Sequence, residues 1–288
     1  MEPLGITLAL ITAFLWALTS VAMRRATMDL SPLAASATAS MMGLLMALAG
    51  TLIEFSAERR VPAIGGGAAE AVIAGILVFG LGRLFWYYGI SKIGASRSNA
   101  IAASESVVAP LTAVVIAGES PHLIVLLGCV MIALGVAFVS WQRENDSHRD
   151  WTRGVTASVG AALVFAVGAT FARVANVEIG SPFLTYLLST STSLLLVLPL
   201  TLFTGGVSRA LRNRYALIGS AANGTASLSF WGALYLTPVS IAVPLSQTFP
   251  LFTLLITVSF ARALERIDSR TVAGALTVTL GAFLVSWS

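Results

Sequence analysis

Long apolar runs, broken by short polar stretches, fill this chain of 288 residues. Ten runs stand out, at about 4–22, 33–53, 71–91, 98–117, 123–141, 154–172, 183–203, 215–236, 240–260 and 271–287. Each comes close to the roughly 20 apolar residues that span a bilayer as a helix. The runs are continuous rather than alternating, which argues against barrel strands of about ten residues. The pattern therefore predicts ten transmembrane helices, five in each half. The longest polar stretch, 142–153, reads as a linker between residues 1–141 and residues 154–288. The 54–70 stretch, with Gly65, Gly66 and Gly67, reads as a flexible loop.

The halves repeat each other. Glu119, Gly128, Leu134, Gly135, Val139, Ser140 and Trp141 recur as Glu265, Gly274, Leu280, Gly281, Val285, Ser286 and Trp287 at a constant offset of 146. Earlier in each half, Gly5, Trp16 and Arg24 fall on Gly154, Phe165 and Arg173 at 149, and Tyr87 and Ser96 fall on Trp231 and Ser240 at 144. Duplication of membrane-length segments marks transporters. An odd number of helices per half flips the second half, so the repeats are expected to be inverted.

Composition fits this class. Hydrophobic residues make up 57% and charged residues 10%, against roughly 25% charged in soluble domains. The net charge of +4 is spread over loops without a basic, aromatic-interleaved cluster, so no nucleic-acid partner is expected. The bilayer is the expected partner, as an integral protein of the plasma membrane. Cys129 is the only cysteine and reads as a small buried hydrophobe. His122 and His148 lie in polar stretches, which leaves no metal cluster, no cofactor and no Ser-His or Cys-His nucleophile at membrane depth. No Gly-x-x-x-x-Gly-Lys-Ser/Thr pattern is present, which argues against ATP-driven pumping. An enzyme is not expected.

Loop charges predict orientation. Thirteen basic residues fall on one side against Arg59, Arg60 and Arg173 on the other, with Arg83 inside a run. The positive-inside rule then makes linker 142–153 cytoplasmic and both termini external.

Arg83 and Glu105 are the charges well inside runs. A mid-membrane charge costs about 2.5–3.5 kcal/mol on insertion scales. Both sit about 11–12 Å from one membrane face at 1.5 Å per residue, on neighbouring antiparallel helices, so a direct pair is feasible. Two roles stay open: a structural ion pair, or a cavity site for a charged solute, with Glu105 as a proton-coupling group. Their repeat equivalents are Ser227 and Phe249. Tyr87, Asn223, Trp231 and Gln247 complete the candidate substrate site, with Trp86, Tyr88, Asn99 and Tyr235 as further neighbours. Trp141, Trp151 and Trp287 read as interfacial anchors, and Glu119 and Glu265 as helix-start caps facing the head groups. Gly128 and Gly135, like Gly274 and Gly281, are seven apart and share a helix face. That makes helices five and ten a packing scaffold or a homo-oligomer interface.

Phe14-Leu15-Trp16, Gly94-Ala95-Ser96-Arg97, Gly118-Glu119 and Leu134-Gly135-Val136, set in five-helix repeats, resemble the EamA-type branch of the drug/metabolite transporter superfamily. The resemblance covers nearly the whole chain. It implies a ten-helix secondary carrier, an exporter of a small metabolite such as an amino acid or related solute, working by alternating access around a midplane cavity. It also implies cytoplasmic termini, opposite to the charge count. The sequence departs from the family pattern at Ser106, where a mid-helix proline is usual, and at Ala263-Leu264-Glu265, where Gly-Glu is usual. Pro250 keeps that proline in the second half. The alternative reading is a non-transporting or channel-like membrane protein whose Arg83–Glu105 pair serves structure alone.

Overall fold

The protein, analysed as a computed structural model, is described over residues 3–58, 66–120, 122–140, 148–204, 206–260 and 269–286. Every regular element among them is helical. In chain order they are α1 (Pro3–Ala26), α2 (Pro32–Glu58), α3 (Ala68–Ala74), a π-helical segment (Gly75–Gly82), α4 (Arg83–Ile93), α5 (Ala95–Ala102), α6 (Glu105–Ala117) and α7 (Leu123–Ser140). Then follow α8 (His148–Ile179), α9 (Pro182–Phe203), α10 (Gly206–Arg212), α11 (Arg214–Leu236), α12 (Val239–Ser246), α13 (Phe249–Phe260) and α14 (Ser269–Ser286). Among the described residues, seven helical stretches are long and apolar enough to cross a membrane, and Leu123–Ile132 and Val272–Gly281 are shorter apolar helices.

Local chemistry sets the helix boundaries. Ser181 accepts from the Leu184 N–H at 3.1 Å, with Pro182 at the first helical position of α9. Asn213 Oδ1 accepts from the Tyr215 and Ala216 N–H groups and starts α11. Such caps satisfy donors that a helix start leaves open. Two stretches depart from the expected loops. Residues 54–58 continue α2, and 148–153 are the first turns of α8, where Asp150 meets Lys92 at 2.9 Å. A carboxylate in a first turn complements the helix dipole, so the second part of the expected linker is helix.

Small residues fill many of the buried helix contacts, and many large apolar residues face outward. Ala13, Ala17, Ala39, Ala47, Ala161 and Ala166 are fully buried, while Leu52, Ile53, Val115, Leu195, Phe203 and Phe260 are exposed. In lipid, burying leucine gains nothing over leaving it outside, and association relies on close packing. Glycines mark the closest approaches. A Cβ at Gly75 would lie 2.3 Å from Ser189 O on α9, and one at Gly281 would lie 2.6 Å from Gly128 O. A Cβ at Gly135 would lie 2.7 Å from Gly274 O. The glycine faces of α7 and α14 are thus covered by each other within one chain, as scaffold, and are not open to a second copy. Helices α1 and α11 run antiparallel, with Gly5 beside Thr237 and Gly219 beside Met23.

Three spans are broken near mid-depth. The N–H of Arg83 reaches back to Val78 O, five residues earlier, at the end of the π segment. Ala103 and Ser104 interrupt α5 and α6, and Gln247 and Thr248 interrupt α12 and α13. Within α6, Pro110 cannot donate to the carbonyl of Ser106 four residues back. The Cys129 thiol of α7 takes that carbonyl instead, at 2.9 Å. Cys129 is buried as expected, but it serves as a hydrogen-bond donor as well as a small apolar group.

Candidate functional site: a central cavity at the helix breaks

The broken helices meet around a cavity with about 520 Å³ of unfilled space, its open mouth included. Four of the six candidate residues line it: Arg83, Glu105, Asn223 and Gln247. Its remaining wall is largely aromatic, from Trp16, Phe79, Trp86, Phe165, Phe230 and Phe249. Ser227 joins them.

The expected contact between Arg83 and Glu105 is absent. Arg83 Nη1 donates to Ser40 Oγ on α2 at 2.9 Å, and its guanidinium lies 4.5 Å from the Phe79 ring centre. Ser40 continues to Ser193 of α9 at 3.1 Å. Glu105 instead accepts from Gln247 Nε2, which joins two helix breaks from opposite halves of the chain. Depth along the sequence placed both charges at one level, but helix rotation points them to different partners. An ion pair does form between Lys92 and Asp150, away from this site.

Tyr87 and Trp231 stand behind the wall rather than in it. Tyr87 is fully buried and packs on Trp86, ring centres 5.3 Å apart. Trp231 is fully buried, stacked on Phe79 at 4.9 Å and set against Tyr186 and Phe230. Both lie one position past a lining residue, Trp86 and Phe230, and one helical step turns a side chain by about 100°. Most of the aromatic wall does not stand out in the sequence as a site. Its signal was the repeat, since Trp16, Phe165, Ser227 and Phe249 all occupy positions that the register had already paired.

Other neighbours resolve into framework. Asn99 Oδ1 accepts from Trp86 Nε1 at 2.8 Å, and its amide donates to Ser20 Oγ at 2.6 Å and Thr253 Oγ1 at 2.8 Å. It ties α1, α4, α5 and α13 together beside the cavity. Tyr88 lies 5.9 Å from the Lys92 ammonium, measured to the ring centre, and the Tyr235 carbonyl is taken by Arg173. The Trp151 ring lies 5.5 Å from the Arg97 guanidinium and packs on a buried apolar cluster. Trp141, Trp287 and Glu265 lie outside the described residues.

Glu119 is a cap, but of a distant helix. Its carboxylate accepts from the N–H groups of Val239 at 2.8 Å and Ser240 at 3.1 Å, at the start of α12. It therefore bolts the end of α6 to the second half of the chain. Glu119→Gln removes the charge and one acceptor oxygen, and should cost about 0.5–2 kcal/mol of stability. A melting curve of the purified variant in detergent measures this; an unchanged curve would show that the cap is not needed.

A cavity lined by broken helices is the usual place for a transporter's solute. The sequence pattern of the EamA-like transporter family matches this chain twice, over residues 3–141 and 152–287. The chain belongs to the EamA-like transporter family. It is therefore an integral membrane transporter of the drug/metabolite superfamily, with lipid around it and a small molecule as its solute. No curated protein matches it. A solved crystal structure at 15% identity, covering 100% of this chain and 98% of its own, superposes with a TM-score of 0.71. At that identity the likeness speaks for the fold alone.

Proposed function

We propose that this EamA-like transporter is a secondary carrier that exports a small metabolite, such as an amino acid or related solute. It works by alternating access between two inverted five-helix halves, residues 1–141 and 154–288. The ten spans are α1, α2, α3 to α4, α5 with α6, α7, α8, α9, α11, α12 with α13, and α14. The cavity's composition carries the reading. The repeat register pairs Trp16 with Phe165, Phe79 with Asn223, Arg83 with Ser227, Trp86 with Phe230 and Glu105 with Phe249, and all ten residues line the cavity. A site assembled from matching positions of both halves lies where the repeats meet, as a rocking mechanism requires.

Two further observations support the inversion. Arg24 donates to Ile90 O and Ser91 O, and Arg173 donates to Leu234 O and Tyr235 O. Donors and acceptors alike are repeat equivalents. The first clamp sits at the end of α1, and the second sits with the end of α11 beside the start of α1. The clamps therefore occupy opposite ends of the bundle. The first end also gathers Arg25 and Arg214 around Tyr215, and by the positive-inside rule we place that end in the cytoplasm.

A Ser227→Cys variant tests alternating access without knowledge of the solute. The background is Cys129→Ser, whose hydroxyl can still donate to Ser106 O. In oriented proteoliposomes, the single thiol of this variant should react with impermeant thiol reagents applied to either side, and reagent applied to one side should not cross. Reaction from neither side would support the structural alternative, and passage of reagent through the protein would support a channel.

A further inference from the structure

Three lining residues each carry a buried side-chain atom that finds no hydrogen-bond partner: Arg83 Nη2, Asn223 Oδ1 and Gln247 Oε1. Their side chains are 2%, 3% and 2% exposed. Leaving such atoms unmet is costly, by about 1–3 kcal/mol each and more for a charged group. Buried polar groups are as a rule satisfied, and exceptions call for a cause. Three of the exceptions gather in this one cavity, and they differ in kind. Arg83 offers a charged donor, while Asn223 and Gln247 offer acceptors.

The surroundings of Arg83 narrow the chemistry. No carboxylate pairs with it among the described residues, and Glu105 is engaged by Gln247. Ser40 holds one guanidinium nitrogen, and the Phe79 ring lies against the guanidinium. A buried charge without a counter-ion is not stable on its own terms. The contacts with Ser40 and Phe79 already hold the guanidinium, so a ligand would not have to order it.

We propose that the Arg83 end of the cavity is a subsite for a single carboxylate carried by the solute. The proposal rests on the reading of this cavity as the solute site. One cation suits a monoanion; a phosphate dianion would leave its second negative charge without a cation among the lining residues. The solute's apolar body then lies along Trp16, Trp86, Phe165 and Phe249. A donor group at its far end, where it has one, meets Asn223, Gln247 and the Glu105 carboxylate. Arg83 thus sets the direction in which the solute lies.

Four probes of one carbon skeleton test this: 4-methylpentanoate, 4-methylpentanamide, 4-methylpentylamine and L-leucine. The readout is ligand-induced stabilisation of the purified full chain, since a ligand that binds only the native state raises its melting temperature. The acid and the amino acid should stabilise the protein, and the amide and the amine should not. Arg83→Gln should weaken the acid at least about tenfold, the loss expected for one charged hydrogen bond. Should that variant fail to fold, the wild-type comparison of acid with amide decides alone. Equal effects of acid and amide, stabilisation by the amine only, or no effect of any probe would each overturn the carboxylate subsite. None of these outcomes touches alternating access, which thiol labelling of the Ser227→Cys variant judges separately. Leucine acting without 4-methylpentanoate would also overturn the subsite, because the ammonium end would then carry the recognition.

Discussion

Arg83→Ala and Glu105→Ala should each cut solute transport about 10- to 150-fold, and the double change should not restore folding. Loss of one hydrogen bond to a charged group removes about 1.5–3 kcal/mol, which gives that range. The folding expectation follows from geometry. Were the two charges paired, deleting one would strand the other, and deleting both would relieve the strain. They are bonded instead to Ser40 and Gln247. Removing Glu105 strands the Gln247 amide, whereas removing Arg83 leaves Ser40 still bonded to Ser193. The destabilisation of the double variant should therefore equal the sum of the single values within about 0.5 kcal/mol, as for groups that do not interact. Melting temperatures of the four proteins, with solute exchange in liposomes, check both parts. A double variant that is clearly more stable than Glu105→Ala would show that the charges meet after all.

The second large effect is expected from one methyl group. Gly75→Ala should lower stability by about 1–3 kcal/mol, the usual cost of overpacking. Its new Cβ would lie 2.3 Å from Ser189 O and 2.9 Å from Ser189 Cα and carbonyl carbon. Those are backbone atoms of α9 and cannot swing aside. Gly80→Ala, in the same π segment, is the control. There the nearest atom is 3.7 Å away, so the change should be close to neutral. Detergent half-lives or melting curves of the two variants, compared side by side, should separate clearly. Equal values would mean that the approach of the π segment to α9 is not what Gly75 provides.

Helix placement was legible in the sequence because hydropathy reports directly on the membrane. The run at 71–91 became α3 to α4 over 68–93, and that at 183–203 became α9 over 182–203. What hydropathy could not report was the hydrogen-bond register inside a run. The π segment and the breaks at 103–104 and 247–248 interrupt sequences that read as uniformly apolar. Ser106 lacks the mid-helix proline of the family pattern, yet the first half breaks at the position that matches the second. In the same way, Arg83 and Glu105 were legible as unusual, since charge is rare at that depth. Their partners were not, because rotation about the helix axis decides them. Tyr87 and Trp231 were drawn in by nearness along the chain and then turned away by a single helical step. Ser227 and Phe249 show the reverse case. Neither is conspicuous alone, but the repeat register named them as partners of the two charges, and both line the cavity.

The π segment also bears on how this span tolerates a change of length. A π turn holds one residue more than the α-helical path between the same two ends. Deleting a single residue between Gly75 and Gly82 would let the segment relax to ordinary α-helix, with α3 still docked on α9 and Arg83 still facing Ser40 and Phe79. The same deletion from regular α-helix, as in α4, would instead rotate everything after it by about 100°. A frame-keeping loss of three bases is thus absorbed in one stretch and disruptive in the next. Relatives of this chain can therefore be sorted by segment length before any side chain is compared. Those one residue shorter between the equivalents of Gly75 and Arg83 should have lost the π turn and kept the bearing of the arginine.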